Sequence, residues 1–402
     1  MFQVSSSPAH VVDRETLLHA PSARRSLAGL SLSGLLAALL GAILPAWGYH
    51  LVFEFAAIGY YFLCVAVGVL VSVELSRRLL PRKGVAFVLI LACWLASGAL
   101  LFLAFTPPPF PALWRMGTMT VVGMALGLLN SAIFQAISTI YQHDPASTLN
   151  LGGIVLGSGC LLITLLVAGT FNAYSVTVIL TLVALAPASF AVLYARTAFP
   201  PSVIPPHPSS KQALRDFRSL GAVSLALLLF FQFGNEWSIA GWLPIFLIHR
   251  LGLSPGAALN LLALYWSALL LGRIGALVIL RRVSHGRVLM GSAASAMFGC
   301  MLLFSTNNQF GATTGILLVG GGFATIYPLV AEKIGHRFTY YHPGFFNGIF
   351  SLAMVGAMLA PWLLGYLAAV WGIGVVMVAP MIGTVMVFAL VLLIWLEAKI
   401  GG

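Results

Sequence analysis

Apolar residues occur in long runs separated by short polar breaks along the whole chain. A scan for runs of about 20 residues, the length that a helix needs to cross a bilayer, predicts twelve spans. Their approximate limits are 27–47, 52–75, 85–105, 112–138, 149–170, 174–195, 219–248, 256–280, 288–305, 311–331, 343–369 and 372–396. The breaks contain residues that end helices, such as Pro107, Pro108 and Asn308. The pattern therefore predicts an all-α membrane protein and argues against a transmembrane barrel, whose strands alternate polar and apolar residues.

The composition supports this prediction and excludes several classes of protein. Hydrophobic residues make up 60% and charged residues 7% of the 402 residues, and the mean hydropathy is +1.02. Soluble domains carry about 25% charged residues, so this chain cannot cover the surface of a soluble enzyme or a nucleic-acid-binding domain. The four cysteines have no CxxC spacing, the histidines have no metal-ligand spacing, and no phosphate-binding loop is present. We therefore expect no enzyme activity, no cofactor and no metal centre.

The basic residues are distributed asymmetrically. Of the 20 Lys and Arg, 17 fall in the two tails and in alternate connections between spans. The exceptions are Arg115 and Arg250 in the other connections and Arg273 inside a span. Because cytoplasmic segments of membrane proteins are enriched in Lys and Arg, both termini are expected in the cytoplasm. This bias accounts for the net charge of +11, so the expected surrounding is a lipid bilayer and no nucleic-acid partner is expected.

A basic loop recurs at the same place in each half of the chain. Arg77–Lys83 follows the second span, and Arg281–Arg287 follows the eighth span, 204 residues later. The expected organisation is a cytoplasmic tail, a six-helix half, a cytoplasmic linker, a second six-helix half and a cytoplasmic C-terminus, at 1–26, 27–196, 197–218, 219–397 and 398–402. Halves related in this way rock against each other around a site near the bilayer midplane, which gives alternating access.

These features resemble the major facilitator superfamily. The basic loops are similar to degenerate forms of its Gly-x-x-x-Asp-Arg-x-Gly-Arg-Arg motif, with Gly68 at the glycine and Glu74 nearest the acidic position. The second half also resembles the fucose permease family of sugar–cation symporters. The segments that carry this similarity are 234–243, Tyr265-Trp266, Gly272-Arg273-Ile274, Gly322-Phe323, Tyr327-Pro328 and Leu149-Asn150. The resemblance implies the major facilitator fold with twelve helices in two halves, a sugar substrate, H+ or Na+ as coupling ion, and the bacterial cytoplasmic (inner) membrane.

Glu236 is the first candidate for solute binding and ion coupling. It lies near mid-depth in the seventh span, where an ionisable residue is costly unless it has a function or a partner. Gln232 and Asn235 precede it at helical spacing, so the three are expected on one face. Amides and a carboxylate suit sugar hydroxyls, and Trp237 and Trp242 would stack on a sugar ring. Alternatively, Glu236 fixes helix packing through a polar partner and the tryptophans are interface anchors.

Four uncharged residues inside spans are further candidates for binding hydroxyl groups: Asn130, Gln135, Tyr327 and Asn347. Transporters of the fucose permease family carry acidic groups in spans one and four. Here span one has no ionisable residue, and span four has Asn130 and Gln135 in place of an acid. The alternative for each of the four is a hydrogen bond between helices.

Three charged residues near span ends complete the candidates. Glu54, near the start of span two, is a second candidate for ion coupling, with a solvated acid at a helix N-terminus as the alternative. The resemblance implies that Glu74 and Arg273 form part of an inner gate, with snorkelling at the membrane interface as the alternative. If Na+ is the coupling ion, Glu236 and Glu54 are its candidate ligands.

The sequence thus predicts a monomeric secondary active transporter of a small polar solute, with a hexose as the first candidate. The expected mechanism is cation-coupled symport by alternating access. An exporter of amphipathic drugs or lipids on the same fold is the alternative. Its cavity would be mostly apolar, and Gln232, Asn235 and Glu236 would then form a contact between helices. A non-transporting receptor or scaffold is a third class, but the long signalling tail or extra domain that it would need is not expected here.

Overall fold

The computed structural model describes residues 21–138, 140, 145–200, 215–338 and 348–400. This described part contains eleven helices that are long and apolar enough to cross a membrane. In chain order they are α1 (Pro21–Ile43), α2 (Phe55–Phe105), α3 (Ala112–Ala136), α4 (Pro145–Thr170), α5 (Val176–Ala195), α6 (Leu220–Leu251), α7 (Pro255–Ile279), α8 (His285–Ser305), α9 (Gln309–Arg337), α10 (Ile349–Trp371) and α11 (Val375–Ile400). The all-α prediction is confirmed, since no strand occurs in the described part.

The second helix, α2, accounts for two of the twelve predicted spans. It runs for 51 residues and breaks at Gly84, whose φ of 78° and ψ of 171° lie outside the helical region. The arm before Gly84 matches the second span and the arm after it matches the third. Ten of the twelve predicted spans are therefore single helices, and the other two are the two arms of the bent helix α2.

Several helices begin where the sequence supplies a capping side chain. Asn308 precedes α9, and its Oδ1 accepts a hydrogen bond of 2.8 Å from the Gly311 N–H. Ser219 caps α6 in the same way through the Ala222 N–H at 3.2 Å. Each cap satisfies a donor that the first turn of a helix leaves unpaired, so these helices start at defined residues.

The helices pack as two groups that correspond to the predicted halves. Within the first group α1 packs on α4, and α2 packs on α3 and α5. Within the second group α6 packs on α10 and α11, and α9 packs on α7 and α8. The groups meet mainly where α2 contacts α10 and where α4 contacts α7. These two seams determine which residues of one half can reach the other.

The outer surface of the bundle is apolar. Trp94, Leu185 and Leu271 each expose more than half of their area, and many other large apolar side chains on the helices are exposed as well. A soluble protein does not present such a continuous apolar surface. The chain is an integral membrane protein whose outward faces fit lipid chains.

Two ends of the bundle differ in charge. The basic end holds the starts of α1 and α6, the bend of α2 at Gly84 and the α7–α8 connection, and it carries Arg77, Arg78, Arg281 and Arg282 among other cations. The opposite end holds the α1–α2, α2–α3 and α6–α7 connections. Its placement outside the cytoplasm remains a prediction from the Lys and Arg bias.

Arg115, one of the exceptions to that bias, has a structural role at the opposite end. Its side chain is buried, and its Nε donates to the Tyr61 hydroxyl at 2.9 Å. Its Nη1 donates to the backbone carbonyls of Phe110 at 2.8 Å and Thr106 at 3.3 Å. Arg115 therefore fastens the loop before α3 to α2.

Candidate functional site

A cavity of about 230 Å³ lies between the two halves. Its walls come from α1, α2, α3 and α4 of the first half and from α6, α7, α9 and α10 of the second. Leu, Val, Met, Phe, Ala and Gly provide most of the lining. The polar and charged members of the described lining are Ser33, Asn130, Thr148, Glu236, Trp237, Arg273 and Tyr327. The cavity is thus apolar over most of its surface and polar at a few positions.

Glu236 and Arg273 form a buried ion pair in this cavity. Glu236 Oε1 lies 4.0 Å from Arg273 Nη2, and the side chains expose 10% and 6% of their areas. They are the charged side chains of the described lining. Because α6 carries Glu236 and α7 carries Arg273, both belong to the second half.

Arg273 also reaches across the seam between the halves. Gly153 on α4 leaves room for its guanidinium, because a Cβ at position 153 would overlap Arg273 Nη1. Asn150, one turn earlier on α4, donates from Nδ2 to the backbone carbonyl of Arg273 at 3.4 Å. Within the described part, Arg273 Nε has no hydrogen-bond partner. Arg273 therefore lines the cavity and also lies in the α4–α7 seam.

The placement of Arg273 differs from the sequence-based hypothesis in one respect. The resemblance implied a place in an inner gate, and Arg273 was not among the residues expected to bind the solute. The structure instead places its guanidinium beside Glu236. A guanidinium lies several bonds beyond its Cα, so a long side chain reaches a different depth from that of its backbone.

Aromatic residues hold α6 and α7 together behind the ion pair. The Tyr265 hydroxyl donates to the backbone carbonyl of Glu236 at 3.4 Å. The Trp266 ring lies 6.1 Å from the ring of Trp237, measured between centroids. These contacts fix the helix that carries the carboxylate against the helix that carries the guanidinium.

The structure directs Asn235 away from the other two polar residues that the sequence placed on one face of the seventh span, whereas Gln232 lies beside the Glu236 carboxylate. Glu236 lines the cavity, whereas Gln232 and Asn235 are buried outside its lining. Asn235 faces α11, where a Cβ at Gly383 would overlap its Oδ1. Neighbouring residues are about 100° apart around a helix. That angle is enough to direct Asn235 toward α11 and Glu236 toward the cavity.

The remaining uncharged candidates divide in the same way. Asn130, Trp237 and Tyr327 line the cavity, and Asn130 Oδ1 has no hydrogen-bond partner in the described part. Trp242 and Gln135 are buried outside the lining. The indole N–H of Trp242 donates to the Pro361 carbonyl at 2.9 Å, which joins α6 to α10. Asn347 lies outside the described residues.

The two acidic candidates near the ends of span two lie away from the cavity. Glu54 is exposed at the opposite end and precedes α2, which starts at Phe55. Glu74 is exposed and pairs with Arg78 at 2.7 Å and with Arg77 at 3.4 Å on the same helix. Within the described ranges, neither carboxylate bridges the two halves through an ion pair.

Sequence reasoning did not select Ser33, Thr148 or Gly153 as site residues. Ser33 lines the cavity, and its hydroxyl has no hydrogen-bond partner within the described part. It is a small polar residue inside an apolar run, which is a weak signal because serine is common in membrane helices. Gly153 gives no signal in the sequence, because nothing there shows that an arginine of the other half lies against it.

Between the cavity and the opposite end of the bundle, the two halves are in contact. The Phe62 ring lies 6.0 Å from the Trp242 ring, and Phe55 lies 5.4 Å from His249. Gly59 on α2 and Gly365 on α10 approach so closely that a Cβ on either would meet backbone of the other helix. An aromatic layer and this glycine contact therefore close that end.

Comparisons with known proteins agree with this architecture. No protein-family model matches the chain. A curated relative from Yersinia pestis, described as an uncharacterized MFS-type transporter, is 24% identical over 325 residues, which cover 77% of this chain and 79% of that protein. A D-xylose–proton symporter structure matches with a TM-score of 0.70 at 14% identity, over 93% of this chain and 97% of that chain. The fucose:proton symporter of E. coli matches with a TM-score of 0.60 at 15% identity, over 92% of this chain and 98% of that chain.

Proposed function

We propose that this chain, which has the major facilitator fold predicted from its sequence, is a secondary transporter that moves a small organic solute by alternating access. The observation that carries the proposal is the Glu236–Arg273 ion pair in a cavity between the halves. Ionisable residues inside a membrane bundle mark solute and ion pathways. The names of the relative and of the structurally similar proteins support the same function.

The contacts between the halves support alternating access. The aromatic layer and the Gly59–Gly365 contact close the opposite end, and the α4–α7 seam at Arg273 lies on the other side of that layer. Rocking of the halves would loosen one set of contacts while the other set closes. A solute in the cavity would then meet the two sides of the membrane in turn.

A hexose moved by cation-coupled symport is one candidate for the substrate. Asn130, Trp237, Tyr327 and Glu236 face the same cavity. Together they offer hydrogen-bond donors, acceptors and an aromatic face, which are the groups that bind sugars. H+ or Na+ at Glu236 is the proposed coupling ion, and sugar symporters with the same fold lend support.

An amphipathic solute is the second candidate, and the wall of the cavity favours it. Leucine, valine, methionine and phenylalanine make up most of that wall. The amphipathic alternative places Gln232, Asn235 and Glu236 between helices; Gln232 and Asn235 do lie outside the lining, whereas Glu236 lines the cavity. The geometry therefore fits best a solute with one polar group near Glu236 and Arg273 and with an apolar body against the remaining surface.

Transport by the purified chain in liposomes tests the proposal. Labelled glucose, tetraphenylphosphonium and benzenesulfonate are offered separately, with a pH gradient, a Na+ gradient or a membrane potential imposed one at a time. We expect one of these gradients to drive accumulation of a solute by the wild type. Glu236→Gln is expected to abolish this accumulation, because the isosteric amide cannot carry the exchangeable proton or the ion-binding charge.

Glu397→Gln is the matched control. Glu397 is paired with Arg337 at 3.5 Å and is half-exposed, away from the cavity. Its loss should leave accumulation unchanged. If Glu236→Gln accumulates solute as well as the wild type and the control do, Glu236 only supports packing and the coupling site lies elsewhere.

A further inference from the structure

The Glu236–Arg273 pair also limits the charge of the solute. The two side chains together are neutral, and the rest of the described lining carries no charge. Placing a net charge in a membrane interior is costly unless it is compensated. A bound solute and any coupled proton must therefore leave the site with a total charge close to zero.

Glu236 and Arg273 differ in whether they can lose their charge. A carboxylate becomes neutral when it takes up a proton, whereas a guanidinium remains charged at any physiological pH. If Glu236 alone took up a proton, Arg273 would be left as an uncompensated cation. A cationic solute would add a second positive charge that Arg273 cannot relieve by losing a proton. An anionic solute beside Arg273, with a proton on Glu236, restores neutrality.

The surroundings of Arg273 leave donors available for such an anion. Its contact with Glu236 is a single one, at 4.0 Å, between Nη2 and Oε1. The Nε donor has no hydrogen-bond partner in the described part, although the side chain is about nine-tenths buried. An arginine presents donors in a planar fork that suits carboxylates and sulfonates. Asn130, which also lines the cavity, adds an amide.

We infer that the solute is a small organic monoanion with an apolar body, which binds Arg273 while one proton from water neutralises Glu236. This inference rests on the proposed transport function and names the substrate class for the same cavity. The proton adds to a carboxylate oxygen of Glu236, and no other bond forms. One proton and one monoanion enter together, so the transport step is electroneutral.

Among the residues that the structure describes, no other charged group faces Glu236 to alter this balance. Within the described part, the titratable or charged side chains near it are Arg273 and Tyr265 on α7 and Cys160 on α4. The lining residues on α1 and α10 are not ionisable, and α9 contributes Tyr327. On α11, Glu397 lies at the basic end beside Arg337. The proton therefore has Glu236 as its acceptor.

Ligand binding to the purified full chain tests the inference without interference from leakage of weak acids through lipid. The probes are hexanesulfonate and benzenesulfonate, which stay charged at all working pH values, together with hexanamide and hexyltrimethylammonium. Calorimetry in two buffers with different protonation enthalpies measures the protons taken up. We expect a sulfonate to bind the wild type at least tenfold more tightly than the amide or the ammonium, with uptake of about one proton.

The affinity for sulfonate should depend on pH in a defined direction. Because binding needs a proton on Glu236, sulfonate affinity should rise as the pH falls, by up to about tenfold per pH unit. In Glu236→Gln the sulfonate should still bind, with no proton uptake and no dependence on pH, because Arg273 is then free of its carboxylate. Arg273→Gln should weaken sulfonate binding at least tenfold. Glu397→Gln should behave like the wild type.

Several results would overturn the inference. Binding of neither sulfonate to the wild type would do so, and so would equal affinity for hexanamide or binding without proton uptake. These three results come from the wild type alone, so a variant that fails to fold does not affect them. If glucose or tetraphenylphosphonium is transported while the sulfonates do not bind, the transport function stands and the anion inference falls. If no solute in either set is bound or transported, the transport function itself falls.

Discussion

Among single residues, Gly153 has the sharpest consequence for the site. It lies on α4 of the first half, and its missing side chain leaves the space that Arg273 Nη1 occupies. Gly157, one turn later on the same helix, has its nearest neighbouring atom 3.8 Å from the position of a Cβ. The two glycines therefore form a natural pair of test and control.

Gly153→Ala should displace the Arg273 guanidinium and lower transport by on the order of tenfold, since small displacements of charged groups at a site have large effects on rate. The guanidinium ends a flexible side chain and can move, so the loss in unfolding free energy should stay within about 1–3 kcal/mol. Gly157→Ala should preserve both properties. Uptake in liposomes and thermal unfolding of the purified variants measure them. Equal behaviour of the two variants would mean that the contact at Gly153 has no role in the site.

The sequence allowed some site residues to be predicted and not others, for reasons visible at Glu236 and Asn235. A carboxylate inside an apolar run stands out because burying it is costly, and Glu236 does line the cavity. Asn235 shares that run but faces α11. The choice between the two directions depends on where neighbouring helices lie, and helical spacing alone does not contain that information. Arg273 shows the same limit, since its partners come from α6 and α4.

At the scale of helices, the bend inside α2 is the main feature that the twelve apolar runs did not reveal. The basic residues Arg77–Lys83 predicted a connection between two spans. The structure continues the helix through them and turns at Gly84, where φ is 78°. The helical backbone continues up to the glycine, although Pro81 has no N–H to donate, so the polar stretch of the sequence is longer than the break in the helix.

Gly84→Ala should destabilise the protein by about 1 kcal/mol, because a residue with a Cβ rarely adopts a positive φ. The cause is conformational, since no atom lies within 4 Å of the position of a Cβ there. Gly98→Ala, in the second arm of α2, is the control: it also has open space, and its glycine is helical. Denaturation of the purified variants compares them. If Gly84→Ala is as stable as Gly98→Ala, the α2 bend does not depend on the backbone freedom of glycine.

The whole molecule is the level at which the sequence was most informative. Long apolar runs specify membrane helices because the bilayer leaves few alternatives for the backbone. The basic loop that recurs after spans two and eight indicated two halves, and the structure packs the helices in two such groups. The major facilitator fold is confirmed by the symporter structures that match over more than nine-tenths of the chain. The contacts across the seams could not be predicted, since they join residues more than 100 positions apart, such as Asn150 and Arg273.

The orientation in the membrane can be tested with single cysteines in a variant that lacks the four native ones. Phe110 and Phe310 are exposed at the opposite end, and Ser284 is exposed at the basic end. A membrane-impermeant maleimide added to whole cells should label Phe110→Cys and Phe310→Cys directly, because the Lys and Arg bias predicts that they lie outside. It should label Ser284→Cys only after permeabilisation. The reverse pattern would show that the basic end faces outward.

Both members of the ion pair are built on the second half, and this has a consequence for exchange of parts between related proteins. Glu236 and Arg273 lie on adjacent helices, α6 and α7, and Tyr265 ties these helices together. The first half contributes the recess at Gly153. A chimaera that combines the second half of this chain with the first half of a relative would thus inherit the complete pair of charges. Whether the two parts of the chimaera fit together would depend on one position in the first half taken from the relative. That position must be a glycine, as Gly153 is here, to leave space for the Arg273 guanidinium.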